Sequence, residues 1–402
     1  MSARSAKIKK NIKSPVKQIA TTEDEKFFDI MLKATEEIFP DFTKSINIAL
    51  IGKVSSGKSS LMNALLRRTR ENPAVAVGAT SGITTKMQPF RLHERFLIVD
   101  SPGLSDIVSE NSDETLDFLK HVDLGLLVVS GSADASQKKH YDDLQRYAKK
   151  VVVALNKIDE WDDLDESELQ AVVEQWKEKL GTDIVYPVCT KGFDPKTKPG
   201  TAMDLRGIDE VRKVIEDFFQ EEGKDHIFAH AMGDRTPAVV ACIAGTTLIV
   251  AGQSFLPGSA IYITATQAVA IAKLYYIYKG KAIDPASILS LLPLFLADSG
   301  KSLFLWGKTA LEAATFGASS IISVAIGALG AGIAASLTLA TLNTVNFVFK
   351  SGFDLNQTEM LRKEFALSKK RADALVKATG KTDVSQLRNK GFWLKTVASF
   401  LS

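Results

Sequence analysis

The sequence predicts an α/β domain, with a mostly parallel six-stranded sheet and helices on both faces, followed by an all-α hydrophobic helical domain. Three observations support this prediction. A glycine-rich loop at residues 52–60 lies between an apolar strand pattern and a helical pattern. Later strand patterns are unbroken apolar runs, which are typical of a parallel sheet covered on both faces. Two tracts, residues 236–272 and 313–349, contain no charged residue.

Length and composition limit the classes of protein. A chain of 402 residues can form two or three domains. We predict a basic arm with an amphipathic helix at 1–44, the α/β domain at 45–222 and the helical domain at 223–402. A net charge of +3 is too small to indicate nucleic acid as a partner. Two cysteines, Cys189 and Cys242, give no disulfide framework, and the N-terminus shows no signal-peptide pattern, so a protein that is not secreted is expected.

The N-terminal arm carries basic residues before any acidic residue appears. Such an arm is either a solvated tail or a patch that anionic headgroups attract, by about 1 kcal/mol for each basic residue near the surface. An amphipathic helix pattern follows at residues 27–39. The basic residues are Arg4, Lys7, Lys9, Lys10, Lys13 and Lys17.

The glycine-rich loop has the spacing G-x-x-x-x-G-K-[ST] directly after the strand pattern at residues 46–51. Glycines let successive backbone N–H groups point at phosphate oxygens, and the following helix adds the positive end of its dipole. Lys58 is predicted to reach the β- and γ-phosphates, and the Ser59 hydroxyl to bind Mg²⁺. The predicted phosphate-binding residues are Gly52, Lys53, Val54, Ser55, Ser56, Gly57, Lys58, Ser59 and Ser60.

Two further motifs are predicted to contact the γ-phosphate and the metal ion. A threonine from Thr84-Thr85, in a glycine- and threonine-rich loop, can close over the γ-phosphate and bind Mg²⁺ through its hydroxyl. Asp100 ends the strand pattern at residues 96–99 and begins Asp-Ser-Pro-Gly, whose Gly103 N–H can sense the γ-phosphate.

Two motifs near the last strands are predicted to bind a guanine base. Asn156-Lys157-Ile158-Asp159 follows the strand pattern at 151–155, and the Asp159 carboxylate can accept hydrogen bonds from guanine N1 and N2, an edge that adenine lacks. Lys157 would lie along the base, and Asn156 would brace the loop. The backbone of Cys189-Thr190-Lys191, after the strand pattern at 183–188, can meet guanine O6. Ligands of open α/β sheets bind at such carboxyl ends of strands.

Together these motifs resemble a GTPase domain of the translation-factor class, and the nearest likeness is to Era/TrmE-type, dynamin-like and immunity-related GTPases. The resemblance covers residues 46–219 and implies hydrolysis of GTP to GDP and phosphate, with GTP/GDP and Mg²⁺ as cofactors. It implies that Ser59 and Thr85 bind Mg²⁺, with Asp100 behind the ion. Catalysis would then involve Lys58, Thr85 and Gly103.

Two departures from the family pattern bear on catalysis. Leu104 stands where some GTPases have a water-orienting glutamine, so slow intrinsic hydrolysis is expected, or hydrolysis completed by a partner, a second copy of the chain or a bound cation. Ser55 stands where potassium-activated relatives have asparagine. Because a second copy of the chain could complete hydrolysis, a homo-oligomer or a nucleotide-dependent dimer is one expected form of the protein.

The two charge-free tracts are each about 37 residues long, whereas about 20 apolar residues cross a bilayer. A turn signal at residues 255–259 divides the first tract, and Gly327, Gly330 and Gly332 indicate that the second folds back. The tracts fit either membrane insertion or a soluble helical bundle, since both tolerate small residues and lack charge. At the C-terminus, Trp393, Val397 and Phe400 share one helical face, which either lies in a headgroup layer or docks on its own domain.

The predicted function is a GTP-binding switch coupled to a helical domain that acts at the cytoplasmic face of a membrane, with lipid as a partner. It would remodel or tether the membrane or control a membrane partner. One alternative is a soluble regulatory GTPase whose helical domain binds a protein. A ribosome-assembly GTPase is a further alternative, but a basic RNA-binding domain would be expected there and this chain has an apolar one.

Overall fold

A computed structural model describes residues 22–75, 88–101, 118–193, 197–198, 200–254, 259–291, 320–380 and 384–401. The chain divides into two compact units. The first contains residues 40–239 and 274–282, and the second contains residues up to 39, 240–273 and 283–402. Helix α1 (Thr22–Ile38), the amphipathic helix predicted from the sequence, belongs to the second unit.

The first unit is built on a six-stranded sheet of order β2-β3-β1-β4-β5-β6. Every strand pair is parallel except β2 with β3. This confirms the predicted α/β fold class and the mostly parallel six-stranded sheet. The strands are β1 (Ile46–Ile51), β2 (Gln88–His93), β3 (Phe96–Ser101), β4 (Leu124–Val129), β5 (Lys150–Leu155) and β6 (Tyr186–Pro187).

The two edge strands are where the sequence patterns were weakest. No apolar run marks β2, which pairs antiparallel with β3 and places Gln88 opposite Asp100. The pattern at residues 183–188 predicted a longer last strand, but only Tyr186 and Pro187 pair with β5. Proline has no N–H to donate, so a short edge position suits it.

Five helices accompany the sheet in the described part of the first unit. Apolar side chains of β1, β3, β4 and β5 form a core with α4, in which Trp176 is 1% exposed. The acidic run at residues 162–168 includes the N-terminus of α4. The N-cap residue of this helix, Asp165, accepts a hydrogen bond from Ser167 N at 3.0 Å. These helices are α2 (Lys58–Leu65), α3 (Ser136–Tyr147), α4 (Glu166–Leu180), α5 (Ile208–Glu221) and α6 (Asp225–Ala231).

Outside the first unit, the described part of the chain is mostly helical, as predicted. The first charge-free tract forms two helices on either side of the turn signal, and residues 255–258 of that turn lie outside the described part of the chain. The helices are α7 (Thr236–Gln253), α8 (Ser259–Lys279), α9 (Pro285–Leu289), α10 (Ser320–Lys350), α11 (Thr358–Gly380) and α12 (Lys390–Leu401).

The expectation that the second charge-free tract folds back at its glycines was wrong. Gly327, Gly330 and Gly332 lie inside the continuous helix α10. A glycine in a helix interior costs only about 1 kcal/mol relative to alanine, and packing can outweigh that cost. A Cβ at Gly332 would lie 3.3 Å from Val376 Cγ1 of α11, so the glycine permits close approach of the two helices.

Among the described residues, two helices are long and apolar enough to cross a membrane, judged by length and composition alone. The segment Thr236–Gln253 is 39% buried within the protein, and Ala331–Lys350 is 83% buried. The second is therefore mostly a core helix of the bundle. Trp393, Val397 and Phe400 of α12 are also buried, which supports the docked arrangement of this helix and not the headgroup position.

Candidate nucleotide-binding site

The phosphate loop connects β1 to α2, and two of its residues have the left-handed backbone conformation. Ser55 has φ 66° and Gly57 has φ 88°. A Cβ at Gly57 would lie 2.1 Å from Asn156 Nδ2, so only glycine fits there. Ser56 is buried, whereas Val54 is 53% exposed. Lys58, Ser59 and Ser60 form the first turn of α2, where free N–H groups favour an anion.

Lys58 is held at the mouth of the loop by backbone oxygens. Its Nζ donates to Gly52 O at 2.9 Å and to Lys53 O at 3.2 Å, and it lies 3.6 Å from Asp100 Oδ1. Burial lowers the pKa of Lys58, and the Asp100 carboxylate acts in the opposite direction. The ammonium is thus positioned for charge-assisted hydrogen bonds to phosphate oxygens.

The residues expected to hold Mg²⁺ fit a hard cation with oxygen ligands. Ser59 Oγ donates to Asp100 Oδ2 at 3.3 Å, while the buried Asp100 Oδ1 accepts no hydrogen bond from a described residue. A hydroxyl and a carboxylate are ligands that Mg²⁺ prefers, so Ser59 would bind the ion directly and Asp100 would orient its water. When bound, Mg²⁺ neutralises the charge that develops on the phosphates. The predicted residues Thr84, Thr85, Gly103 and Leu104 lie outside the described part of the chain.

Asn156 connects the predicted base-binding loop to its neighbours by hydrogen bonds. Its side chain is fully buried, and Nδ2 donates to Ser56 O at 2.9 Å. Its Oδ1 accepts a hydrogen bond from Thr190 Oγ1 at 3.1 Å. One side chain therefore ties the phosphate loop to both predicted base-binding loops. The next residue, Lys157, has φ 68°, which turns the chain directly after β5.

The Asp159 carboxylate is held by the last motif of the site. Lys191 Nζ lies 3.1 Å from Asp159 Oδ2, and Cys189 Sγ donates to Oδ1 at 3.4 Å. Burial raises the pKa of Cys189 to about 11, so the thiol keeps its proton and acts as a donor. The structure thus brings Asn156, Asp159 and the Cys189–Lys191 loop together at the carboxyl ends of β5 and β6.

Three polar contacts of the site were not predicted from the sequence. Lys53 pairs with Asp134, and this ion pair holds the pKa of Asp134 at about 2. Asn63 of α2 is buried and accepts hydrogen bonds from Ala74 N and Val75 N. Arg70 donates to backbone carbonyls of the segment after Lys191. Of these three contacts, only that of Asn63 had a signal in the sequence, namely an asparagine within an apolar helix pattern.

Comparisons with known proteins agree with this geometry. A family model described as 50S ribosome-binding GTPase matches residues 47–157. GTPase Der of Persephonella marina is 27% identical over 203 residues, which cover 48% of this chain and 43% of Der. The Fe(2+) transporter FeoB of Helicobacter pylori is 34% identical over 169 residues, which cover 40% of this chain and 25% of FeoB. The chain therefore matches less than half the length of either relative.

A weak likeness to a solved structure is also found. A crystal structure of Era from Aquifex aeolicus, bound to GDP·AlF4⁻, is 17% identical, with a TM-score of 0.28. The match covers 52% of this chain and 68% of that Era chain.

The site and the family match together define a P-loop GTPase domain of the translation-factor class. Its cofactors are GTP/GDP and Mg²⁺, and its reaction is hydrolysis of GTP. The matched relatives include Der and FeoB, and an Era-like character stays a prediction. A dynamin-like or immunity-related character stays a prediction.

Proposed function

We propose that the whole protein is a GTP-dependent switch whose helical unit acts at the cytoplasmic face of a membrane. It would remodel or tether the membrane or control a membrane partner. The observation that carries this proposal is helix α7, which has no charged residue and is only 39% buried. The side chain of Ile249, near its C-terminal end, is 53% exposed. Its 18 residues would extend about 27 Å, close to the thickness of a hydrocarbon core.

A row of lysines on α11 supports lipid as the partner. Lys363, Lys370 and Lys377 recur every seven residues, so they lie on nearly the same side of the helix. All three are exposed, and none forms an ion pair with another described residue. Leu367, between the first two, is 55% exposed. An exposed apolar side chain between lysines suits an anionic headgroup layer, where each lysine contributes about 1 kcal/mol.

The alternative, a soluble regulatory GTPase that binds a protein partner, is favoured by helix α10. Its segment Ala331–Lys350 is 83% buried, and polar contacts fix it within the bundle. Gln267 Nε2 donates to Thr338 Oγ1 at 2.8 Å, and Asn343 Nδ2 donates to Ser368 Oγ at 2.8 Å. Such buried polar pairs suit a folded bundle in water as well as one in lipid.

In either case the nucleotide would act through loops next to the γ-phosphate. GTP and Mg²⁺ would order residues 78–86 and 100–105, and hydrolysis would release them. The helical unit would respond through α5, the helix that ends the predicted GTPase segment. Since Leu104 replaces a water-orienting glutamine, a partner protein or a second copy of the chain would complete hydrolysis.

The test is flotation of purified full-length protein with liposomes, in GTP, GDP or no nucleotide, followed by a carbonate wash. Vesicles of phosphatidylcholine are compared with vesicles that also contain phosphatidylserine. The proposal expects flotation that increases with phosphatidylserine and with GTP. Resistance to the wash would indicate inserted helices, and removal by the wash would indicate a peripheral contact. No flotation under any condition would overturn the membrane role in favour of the protein-binding regulator.

Matched variants show which surface makes the contact. Ile249→Asp places a charge on the exposed face of α7 and is expected to reduce flotation at least tenfold. Ile184→Asp is the control, because Ile184 is 55% exposed but belongs to the nucleotide domain. If both variants float like the wild type, α7 is not the membrane contact.

A further inference from the structure

Arg70 connects the phosphate side of the nucleotide domain to the base side. It lies five residues after the end of α2, the helix that begins with Lys58 and Ser59. Its half-buried guanidinium donates through Nε to Gly192 O, through Nη2 to Thr201 O at 3.0 Å and through Nη1 to Lys198 O at 3.4 Å. A single side chain thus binds three carbonyls of the segment that follows the predicted guanine O6 loop.

The described residues of that segment, 192–193, 197–198 and 200–206, also contact the predicted base site at their C-terminal end. The backbone N–H of Asp204 donates to Lys191 O at 2.9 Å, and Cys189 N donates to Arg206 O at 2.9 Å. Arg206 in turn forms ion pairs with Asp162 and Asp204. The Cys189–Lys191 loop is therefore fixed from both sides, by Arg70 just after it and by the strand-like return at residue 204.

The contact at Gly192 is tight and close to the base. Gly192 has φ 112°, and a Cβ there would lie 3.1 Å from Met203 Cα and 3.2 Å from Arg70 Nη2. Gly192 directly follows the Cys189–Lys191 loop, whose backbone is predicted to meet guanine O6. A small displacement of the Gly192 carbonyl would consequently move the O6 donor, and a hydrogen bond weakens steeply with poor geometry.

An arginine suits this task better than a lysine. The guanidinium has five N–H donors in a fixed planar arrangement, so it can bind several carbonyls whose directions differ. An ammonium on a flexible stem cannot reach all three carbonyls at once with good geometry.

We propose that Arg70 is a positioning residue for guanine, which holds the Cys189–Lys191 loop where its backbone N–H groups meet O6. It does not touch the nucleotide. The inference rests on the GTPase domain alone and is independent of any membrane role, so either proposal can fail without the other.

The experiment compares three diphosphates on the full-length protein by displacement of a fluorescent GDP analogue. GDP presents O6, N1–H and the 2-amino group, inosine diphosphate lacks the 2-amino group, and 2-aminopurine riboside diphosphate lacks both O6 and N1–H. The wild type is expected to prefer GDP over the 2-aminopurine nucleotide by about 100-fold, the value of two hydrogen bonds, one to O6 and one from N1–H to Asp159. In Arg70→Ala this preference is expected to fall to about tenfold, because only the N1–H bond remains, while the ratio of GDP to inosine diphosphate affinity, set by Asp159, stays within twofold of the wild type.

Two further variants complete the test. Arg146→Ala removes an arginine from the surface of α3 and is expected to behave like the wild type in all three affinities. Arg70→Lys is expected to recover less than half of the lost O6 preference. Recovery of the whole preference by lysine would show that charge alone matters and would overturn the proposal. An unchanged O6 preference in Arg70→Ala would also overturn it, because a merely structural role would weaken all three nucleotides equally.

Discussion

Asn156 Nδ2 donates a hydrogen bond to the backbone carbonyl of Ser56 at 2.9 Å, and this contact joins the base-selecting loop to the phosphate loop. The same side chain accepts from Thr190 Oγ1, so three loops from distant parts of the chain meet on one buried amide. Gly57 is required beside it, because a Cβ there would collide with Nδ2. The phosphate loop and the two predicted base-binding loops therefore form one hydrogen-bonded unit.

Replacement of Asn156 by alanine should disrupt this unit. It would leave Ser56 O and Thr190 Oγ1 buried without their partner, and each lost partner costs about 1–3 kcal/mol. We expect GDP affinity to fall at least tenfold and the Tm to fall by several degrees, measured by nucleotide displacement and by thermal unfolding. Asn47→Ala is the matched control, since Asn47 Nδ2 bonds to His121 O near the start of β1, away from the site. Equal effects of the two variants would contradict the assigned role.

Asp159 should set the preference for guanine over xanthine. Its carboxylate is predicted to accept hydrogen bonds from N1 and N2 of guanine, whereas an amide at this position could donate to the O2 of xanthine. We therefore expect Asp159→Asn to weaken GDP by about 100-fold and to strengthen xanthosine diphosphate, since lost hydrogen bonds to a charged group are worth about 1.5–3 kcal/mol each. Competition binding with both nucleotides measures the change. Weakening of both nucleotides by the same factor would argue against direct recognition by Asp159.

The placement of the described candidate residues could be predicted because nucleotide binding demands particular residue types at fixed spacing. Lys58, Ser59, Asp100 and Asp159 all lie where the carboxyl ends of parallel strands meet, as the motifs required. Arg70 could not be found in this way, because its partners are backbone carbonyls, which every residue type supplies.

The wrong prediction for the second charge-free tract has a different physical cause. Glycines in an apolar tract indicate a turn or close helix packing equally well, and only the neighbour α11 decides the outcome for α10. Burial of Ala331–Lys350 likewise depends on long-range packing that composition does not encode.

The histidine pair His93 and His230 should make the nucleotide unit sensitive to acid. The rings lie 4.9 Å apart, and burial, followed by the charges of His230, Arg235 and Arg95, lowers the pKa of His93 from 6.5 to about 4. Burial also lowers the pKa of His230. The unfolded chain binds these protons at a higher pH than the folded chain does. The stabilisation that is present above pH 6.5 is therefore lost as the pH falls towards 4.

We expect His93 to account for about 1–3 kcal/mol of that loss. Urea unfolding of the wild type and of His93→Gln between pH 7 and pH 4 measures it, and the variant should lose less stability over this range. His121→Gln, a change at an exposed histidine, is the control and should follow the wild type. A wild-type pH dependence retained in full by His93→Gln would contradict the prediction.

Trp393 should be a main support of the C-terminal helices. Its side chain is fully buried in α12, and Nε1 donates to Leu387 O at 2.9 Å. Trp393→Ala would create a cavity and leave that carbonyl unpaired, at a cost of about 3–5 kcal/mol. We expect a lower Tm in calorimetry and a GDP affinity within twofold of the wild type, because Trp393 belongs to the helical unit. Trp393→Phe, which keeps most of the volume, should lose less stability.

The same variant separates docking of α12 from insertion in a headgroup layer. A tryptophan that lay in lipid would contribute little to stability in water but much to liposome binding. Trp393→Ala would then float less while its Tm in the absence of lipid stayed unchanged. The buried indole and its hydrogen bond to Leu387 O predict the opposite result, since the stability lost is that of the bundle itself.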